Sequence, residues 1–442
     1  MKHDLQPYTH LFQGYTELRV QERHEQRVAV FNGEVMENRR ITTGGVAARA
    51  YSNGGWGMAS FSNIEDATIT QAIRDAADHA RWLGEQESRQ ALTLPAYPGV
   101  DEHDLSAPQN ELSRKDLIDV LRVVDGYLTA RYPKLVSRVL TLYTDDAEKT
   151  LITSDGAAAY SRIPRMRISI HLTVEHGAER VSLAEYYGGL GYLQDYYVRF
   201  EPLYEQCDAL YTHLQRKAEG IACSAGNAEC VLEGDVAALL AYEAACEFSK
   251  IASGEDIASP LVSLVDAAHT FSGKPCPSPV FVDDEGTLAQ DVSIIEQGIS
   301  KAALLDKEDA ARVQAQPTGN ARAAHLHESP QLAPRNTALL AGSHRLPDMI
   351  ASIENGYYLM KVERIQSPAG HSLFALTLGY EITHGRLGKG VRETVISGEI
   401  ADMLRNVSMM STDIRWLSGE WRGLPVGMAA PAVKCRILLG GK

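Results

Sequence analysis

The chain has 442 residues, 44% of them hydrophobic and 23% charged, a balance that suits a folded protein with a large core and argues against disorder. Its formal net charge of −14 speaks against a broad nucleic-acid surface, because phosphate contacts need clustered Lys and Arg. No apolar run nears the roughly 18 residues of a membrane helix, and the opening Met1-Lys2-His3-Asp4-Leu5-Gln6-Pro7 lacks the apolar core of a secretory signal, so a cytoplasmic protein with no membrane partner is expected.

Along the chain, Tyr15 to Val20 and Arg27 to Phe31 read as strands joined by the polar turn Gln21-Glu22-Arg23-His24-Glu25, with Asn32-Gly33 as a tight turn after them. Asn53-Gly54-Gly55 predicts a hairpin between Gly44–Tyr51 and Trp56–Ser60. A helix follows, with Ile69, Ile73, Ala76, Ala80 and Leu83 at three- and four-residue spacing and Asn63 and Asp66 placed to cap it. A second opens at Ser113 and buries Leu117, Leu121, Val124 and Leu128. From Pro164 to His176, Met166, Ile168, Ile170, Leu172 and Val174 alternate with polar residues. That strand sets Arg165, Arg167 and His171 on a polar face, either solvated or turned to a substrate. Gly188-Gly189-Leu190-Gly191 lacks the last glycine and following helix of a dinucleotide loop.

The texture changes near residue 205, where a domain boundary is placed between 1–205 and 206–442. Leu203, Cys207, Leu210, Leu214 and Ala218 trace a helix, and another runs from Val236 to Phe248. Beyond Val280 short strands and glycine-bounded turns dominate. They are broken by a helix with Pro347 in its first turn and Gly356 past its end. Asp306 to Pro334 is polar, Pro-interrupted and reads as a long loop.

Standard catalytic signatures are absent: the chain has no H-E-x-x-H, no G-x-S-x-G and no phosphate loop. Its six cysteines form no C-x-x-C pair and read as small buried apolar residues in a reducing compartment. His325-Leu326-His327-Glu328 lies in the polar loop and reads as a chance cluster. Asp283-Asp284-Glu285-Gly286 reads as an acidic turn without the ligand ladder of an EF-hand. The most informative stretch, Cys230 to Glu247, is a strand entering a helix with Glu243 and Glu247 one turn apart. Those carboxylates form either a solvated face or a polar surface turned into a cavity.

Several of these segments, in this order and spacing, resemble the TldD/PmbA (TldD/TldE) family of metalloprotease-related peptide-processing proteins. They are Asn32-Gly33-Glu34, Gly44–Arg49, Gly55–Ser60, Val282–Gly286, Pro317–Arg322, Ile353–Tyr358, Ile396-Ser397-Gly398 and Leu424-Pro425-Val426-Gly427. The resemblance covers nearly the whole chain. It implies an α+β fold with an N-terminal domain of curved antiparallel sheet carrying two amphipathic helices and a β-rich C-terminal domain.

In that family TldD holds zinc through an H-E-x-x-x-H helix and a C-terminal cysteine, whereas TldE (PmbA) lacks the motif and completes a heterodimer that processes small peptides. The matching stretch here is Tyr242-Glu243-Ala244-Ala245-Cys246-Glu247, with Tyr242 and Glu247 where the two histidines would stand and no cysteine within Trp416–Gly423. The resemblance thus implies a TldE-like, non-catalytic subunit. Zinc is expected in a TldD-type partner and no cofactor in this chain, and an unstructured peptide would be held as an added strand near Arg165, Arg167 and His171. The alternatives are a stand-alone peptidase with a rebuilt site at Glu243, Cys246 and Glu247, Glu243 being its base, or a peptide-binding homodimer that does not cleave.

Overall fold

A computed structural model describes residues 2–86, 90–107, 110–250, 253–365 and 372–440. The N-terminal half builds one sheet from β1 (Tyr15–Phe31), β2 (Glu34–Ser52), β3 (Gly55–Phe61), β4 (Val100–Asp104), β5 (Leu135–Thr153), β6 (Ala158–His176) and β7 (Glu179–Leu190). The order is β3-β2-β1-β5-β6; β6 then pairs parallel with β4 near its start and antiparallel with β7 along the rest. β1, β2, β5 and β6 run to 17–19 residues each, about three times an ordinary strand.

Helices cover one face of this sheet. α1 (Asp66–Gln86) lies over β2 and β3, α2 (Arg114–Arg131) over β1 and β5, and the helix Glu201–Ala218 over β6 and β7. The stripe Ile69, Ala72, Ile73, Ala76 and Ala80 is buried because small side chains let α1 approach closely. A Cβ at Gly57 of β3 would lie 2.2 Å from the Ala76 carbonyl oxygen. Ser113 and Asp116 form the expected capping box on α2. At the start of α1, Thr68 Oγ1 accepts the Glu65 N–H, while Asp66 takes the Tyr8 hydroxyl at 2.6 Å; Asn63 and Asp66 are not the caps predicted for it. In β6, Met166, Ile168, Ile170, Leu172 and Val174 are buried beneath the helices, which turns Arg165, Arg167 and His171 to the opposite face.

Two local expectations fail here. The polar run Gln21–Glu25 is not a turn: β1 is continuous and pairs along its length with β2 and β5. Its polar side chains find partners across the sheet, as Arg23 does with Asp145 at 2.7 Å, so cross-strand pairing outweighs the local turn preference. Gly356 does not follow the helix Leu346–Ala351 as a cap but lies inside the strand Asn355–Ile365.

The second half is built of two larger sheets. One orders strands Ile299–Ser300, Val292–Glu296, Leu264–Ala267, Asn336–Leu339, Leu424–Ala430 and Arg415–Trp421, with Arg415–Trp421 at its edge. The other runs Asn355–Ile365, Gly226–Leu232, Val433–Leu439, Thr394–Gly398 and Ser372–Thr383, and closes on itself because the last of these also pairs with the first. The helix Gly234–Phe248 packs on strands of both sheets inside one apolar cluster. Residue 205 falls within the helix Glu201–Ala218, which touches β6 and β7 on one side and Arg386–Val391 on the other.

The segment 306–334 is more structured than a loop. It holds the helix Lys307–Val313 and a short pair of strands, Ala321–Arg322 with Gln331–Leu332, and it buries Lys307, Asn320 and Arg322. Its organiser is Asp266, fully buried like Arg335, whose Nε lies 2.9 Å from Asp266 Oδ2. Asn320 donates to the same oxygen at 2.7 Å, and Arg335 Nη1 donates to the Gly319 carbonyl at 3.0 Å. Removing one member of a buried ion pair strands the other, so Asp266→Ala is expected to cost about 3–5 kcal/mol, read as a fall in the urea unfolding midpoint. An unchanged midpoint contradicts this assignment.

Candidate functional site

The segment Cys230 to Glu247 is a strand that leads into the helix Gly234–Phe248, as its sequence implies. Of the carboxylates one turn apart, Glu243 is buried and Glu247 exposed. The Glu243 carboxylate is paired with Arg364, whose Nε lies 2.5 Å from Oε1. The Arg364 guanidinium in turn stacks 3.8 Å from the centre of the Trp421 ring. Trp421 meets the buried Tyr242 ring edge-on at 5.5 Å. Tyr242 Oη rests against the Cys246 thiol. Burial above all, and then Cys246, pushes the phenol well above its usual range. Burial also pushes the Cys246 thiol up to about 12, with Glu243 adding to the rise. Glu247 is raised as well, first by desolvation and then by Glu399 and Glu243.

This donor set does not suit zinc. A structural or catalytic zinc takes imidazole, thiolate or free carboxylate ligands in a near-tetrahedral set. Here a buried protonated phenol and an exposed carboxylate, Tyr242 and Glu247, stand in the two histidine positions the resemblance implies, Glu243 between them is engaged by Arg364, and Trp416–Gly423 adds no cysteine, so no imidazole or thiolate is offered. Among the described residues no three His, Cys, Asp or Glu side chains converge where they could hold a metal. Arg364, which pairs with Glu243, escaped the sequence reading because it is distant in sequence and carries no motif, and Trp421 entered it only as part of Trp416–Gly423.

The second feature is a cleft between the helix-free face of the first sheet and the edge strand Arg415–Trp421. Its wider end, about 590 Å³, is lined by Arg27, Tyr143, Arg167, His171, Tyr186 and Glu420 among others. A narrower stretch carries Arg165 and Arg167 beside Ser418, Gly419 and Glu420. The structure therefore brings Arg165, Arg167 and His171 into one cleft, and Tyr242, Glu243 and Glu247 onto one helix. His171 stands edge-on to Tyr186 at 5.8 Å, and burial lowers its pKa. Arg165 lies 3.3 Å from Asp145, a carboxylate that Arg23 already holds. Gly189 serves the closeness of this junction: a Cβ there would lie 2.5 Å from Ser418 Oγ.

The acidic turn Asp283–Gly286 is a clamp. Asp283 accepts the N–H groups of Glu285, Thr287 and Ala321. Asp284 pairs with Arg19 of β1 at 3.1 Å and Lys149 of β5 at 2.8 Å. Burial alone would raise its pKa, but Lys149 and Arg19 outweigh that and hold it well below the usual carboxylate range. Glu285 pairs with Arg49 of β2 and accepts the Lys307 N–H.

Family models for PmbA/TldA metallopeptidase domain 1, the central domain and the C-terminal domain match residues 16–80, 107–204 and 236–439, and the chain belongs to the PmbA/TldD family. It is similar to a metalloprotease TldD homolog of Haemophilus influenzae, 24% identical over 97% of this chain and 93% of the relative. It is likewise similar to a zinc metalloprotease TldD homolog of Saccharolobus solfataricus, 23% identical over 94% and 95%. Its fold matches the crystal structure of TldE from Thermococcus kodakarensis, with a TM-score of 0.77 at 16% identity over 98% of both chains. No described helix is long and apolar enough to cross a membrane.

A thiol held near pKa 12 is almost wholly protonated at neutral pH and is a poor nucleophile. Cys246 in the folded chain is therefore expected to resist iodoacetamide at pH 7.5, at least about tenfold more slowly than in urea, as read by peptide mass mapping. Rapid labelling of Cys246 in the folded protein contradicts the packed state described.

Proposed function

We propose that this chain is the TldE/PmbA-like, non-catalytic subunit of a TldD/TldE-type complex that degrades or matures small peptides, with the zinc carried by a TldD-type partner. The observation that carries the reading is the Glu243–Arg364 pair, closed over by Trp421. A general base must be free to take a proton from an activated water. A carboxylate fixed on a guanidinium, next to a phenol in place of the first histidine, is instead part of the packing.

The role left to the chain is to hold substrate. The strand Arg415–Trp421 pairs only with Leu424–Ala430 among the described strands, so one of its edges is available for main-chain hydrogen bonds. Its residues Ser418, Gly419 and Glu420 line the cleft opposite Arg165 and Arg167. An extended peptide added there would be held through its backbone, which suits unstructured substrates of varied sequence.

Co-expression with a TldD-type paralogue tests this. A stable complex is expected, cleaving an unstructured peptide, and Glu243→Gln in this chain leaves that cleavage within about twofold. Failure to form a complex, or loss of cleavage on Glu243→Gln alone, overturns the reading.

A further inference from the structure

The narrow end of the cleft contains a guanidinium that no carboxylate meets. Arg322 is 7% exposed, and it ends the run Pro317–Arg322 that marks the family. Its Nη1 donates to the Pro334 carbonyl at 3.2 Å and its Nη2 to the Pro425 carbonyl at 2.6 Å, both neutral acceptors. Among the described residues it forms no ion pair with an acid. Burial is the strongest influence on it and draws its pKa down to about 10. Asp284 and Asp266 act on it without forming an ion pair; a buried cation without a paired acid is costly, and a planar guanidinium fork matches the geometry of a carboxylate.

The neighbouring acids are committed elsewhere. Asp283 is saturated by three backbone N–H groups, and Asp284 by Lys149 and Arg19. Arg165 reaches Asp145 at only 3.3 Å, while Arg23 holds that carboxylate at 2.7 and 3.0 Å. Arg165 and Arg322 thus line one cavity of about 110 Å³ with a surplus of positive charge. Its remaining wall includes the apolar side chains of Ile163, Phe281 and Leu424. This cavity and the stretch beside Ser418–Glu420 share Arg23, Arg165 and Pro425 in their linings, so they adjoin one another.

We propose that this cavity is a subsite for the C-terminal carboxylate of the bound peptide, with Arg322 and Arg165 as its anchors and Ile163, Phe281 and Leu424 around the terminal side chain. It rests on reading the cleft as a peptide site, and it adds a direction: the peptide's C-terminus sits at Arg322 and its chain runs out past Arg167 and His171. The chain would then select peptides by their free end while leaving their internal sequence unread.

The test is binding of three probes to the purified full-length chain by isothermal titration: a ten-residue unstructured peptide ending in leucine, the same peptide as its C-terminal amide, and N-acetyl-leucine. Loss of a charge-assisted contact to a buried anchor predicts that the amide binds roughly 10- to 100-fold more weakly than the acid. Arg165→Gln is the variant of choice, because Arg322 also secures two carbonyls and its loss would disturb the fold. That variant, with an unchanged melting temperature, brings the acid close to the amide without weakening the amide, and Arg165→Lys recovers part of the difference. Equal binding of acid and amide overturns the subsite and leaves the peptide cleft standing. Binding of N-acetyl-leucine alone upholds the subsite and overturns the peptide cleft. If none of the three binds, both fall. A fourth probe, the amide carrying an internal glutamate, overturns the assignment to a chain end if it binds as tightly as the acid.

Discussion

Among the contacts that join the two halves of the molecule is one turn whose three carboxylates face three directions. Asp283 ties the turn to its own backbone and to Ala321, Asp284 reaches β1 and β5, and Glu285 reaches β2 and the start of the helix Lys307–Val313. Gly286 makes the turn possible: its φ is +75°, and a Cβ there would lie 2.7 Å from Ala157 Cβ. Buried ion pairs are weak sources of net stability but strong sources of specificity, since every misaligned arrangement leaves a charge unpaired in a low dielectric.

The same logic separates two uses of polar groups in this chain. At the clamp and around Asp266, every acid is matched and the consequence is rigidity. On the helix Gly234–Phe248, two of the polar side chains are folded into packing, with Glu243 on Arg364 and Tyr242 on Trp421, while Glu247 stays exposed. In the narrow end of the cleft the buried Arg322 forms no ion pair among the described residues, and that imbalance is where a ligand contributes most.

Much of this was legible in the sequence where a period is long and uninterrupted. The alternation of Met166 to Val174 gave both the strand and its two faces, and the stripes of α1 and α2 gave their buried sides. The polar run Gln21–Glu25 misled because its partners, Asp145 and Tyr143 on β5, are more than a hundred residues away. Asp306–Pro334 misled for the same reason: its polar residues are satisfied by Asp266 and Glu285 rather than by solvent. Glu243 and Glu247 stood out by their spacing one turn apart, and Tyr242 through the family pattern. The pairing of Glu243 with Arg364, and the unpaired charge of Arg322, are properties of three-dimensional neighbours that no local signal carries.

The central claim is that the helix bearing Tyr242, Glu243 and Glu247 is a packed remnant rather than a working metal centre. Metal content of the purified lone chain, read beside its cleavage of an unstructured peptide, tests it most directly. The account predicts a chain that is metal-free and inert alone, and about one zinc with cleavage once a TldD-type partner is bound. A lone chain that holds stoichiometric metal and cuts the peptide would contradict it.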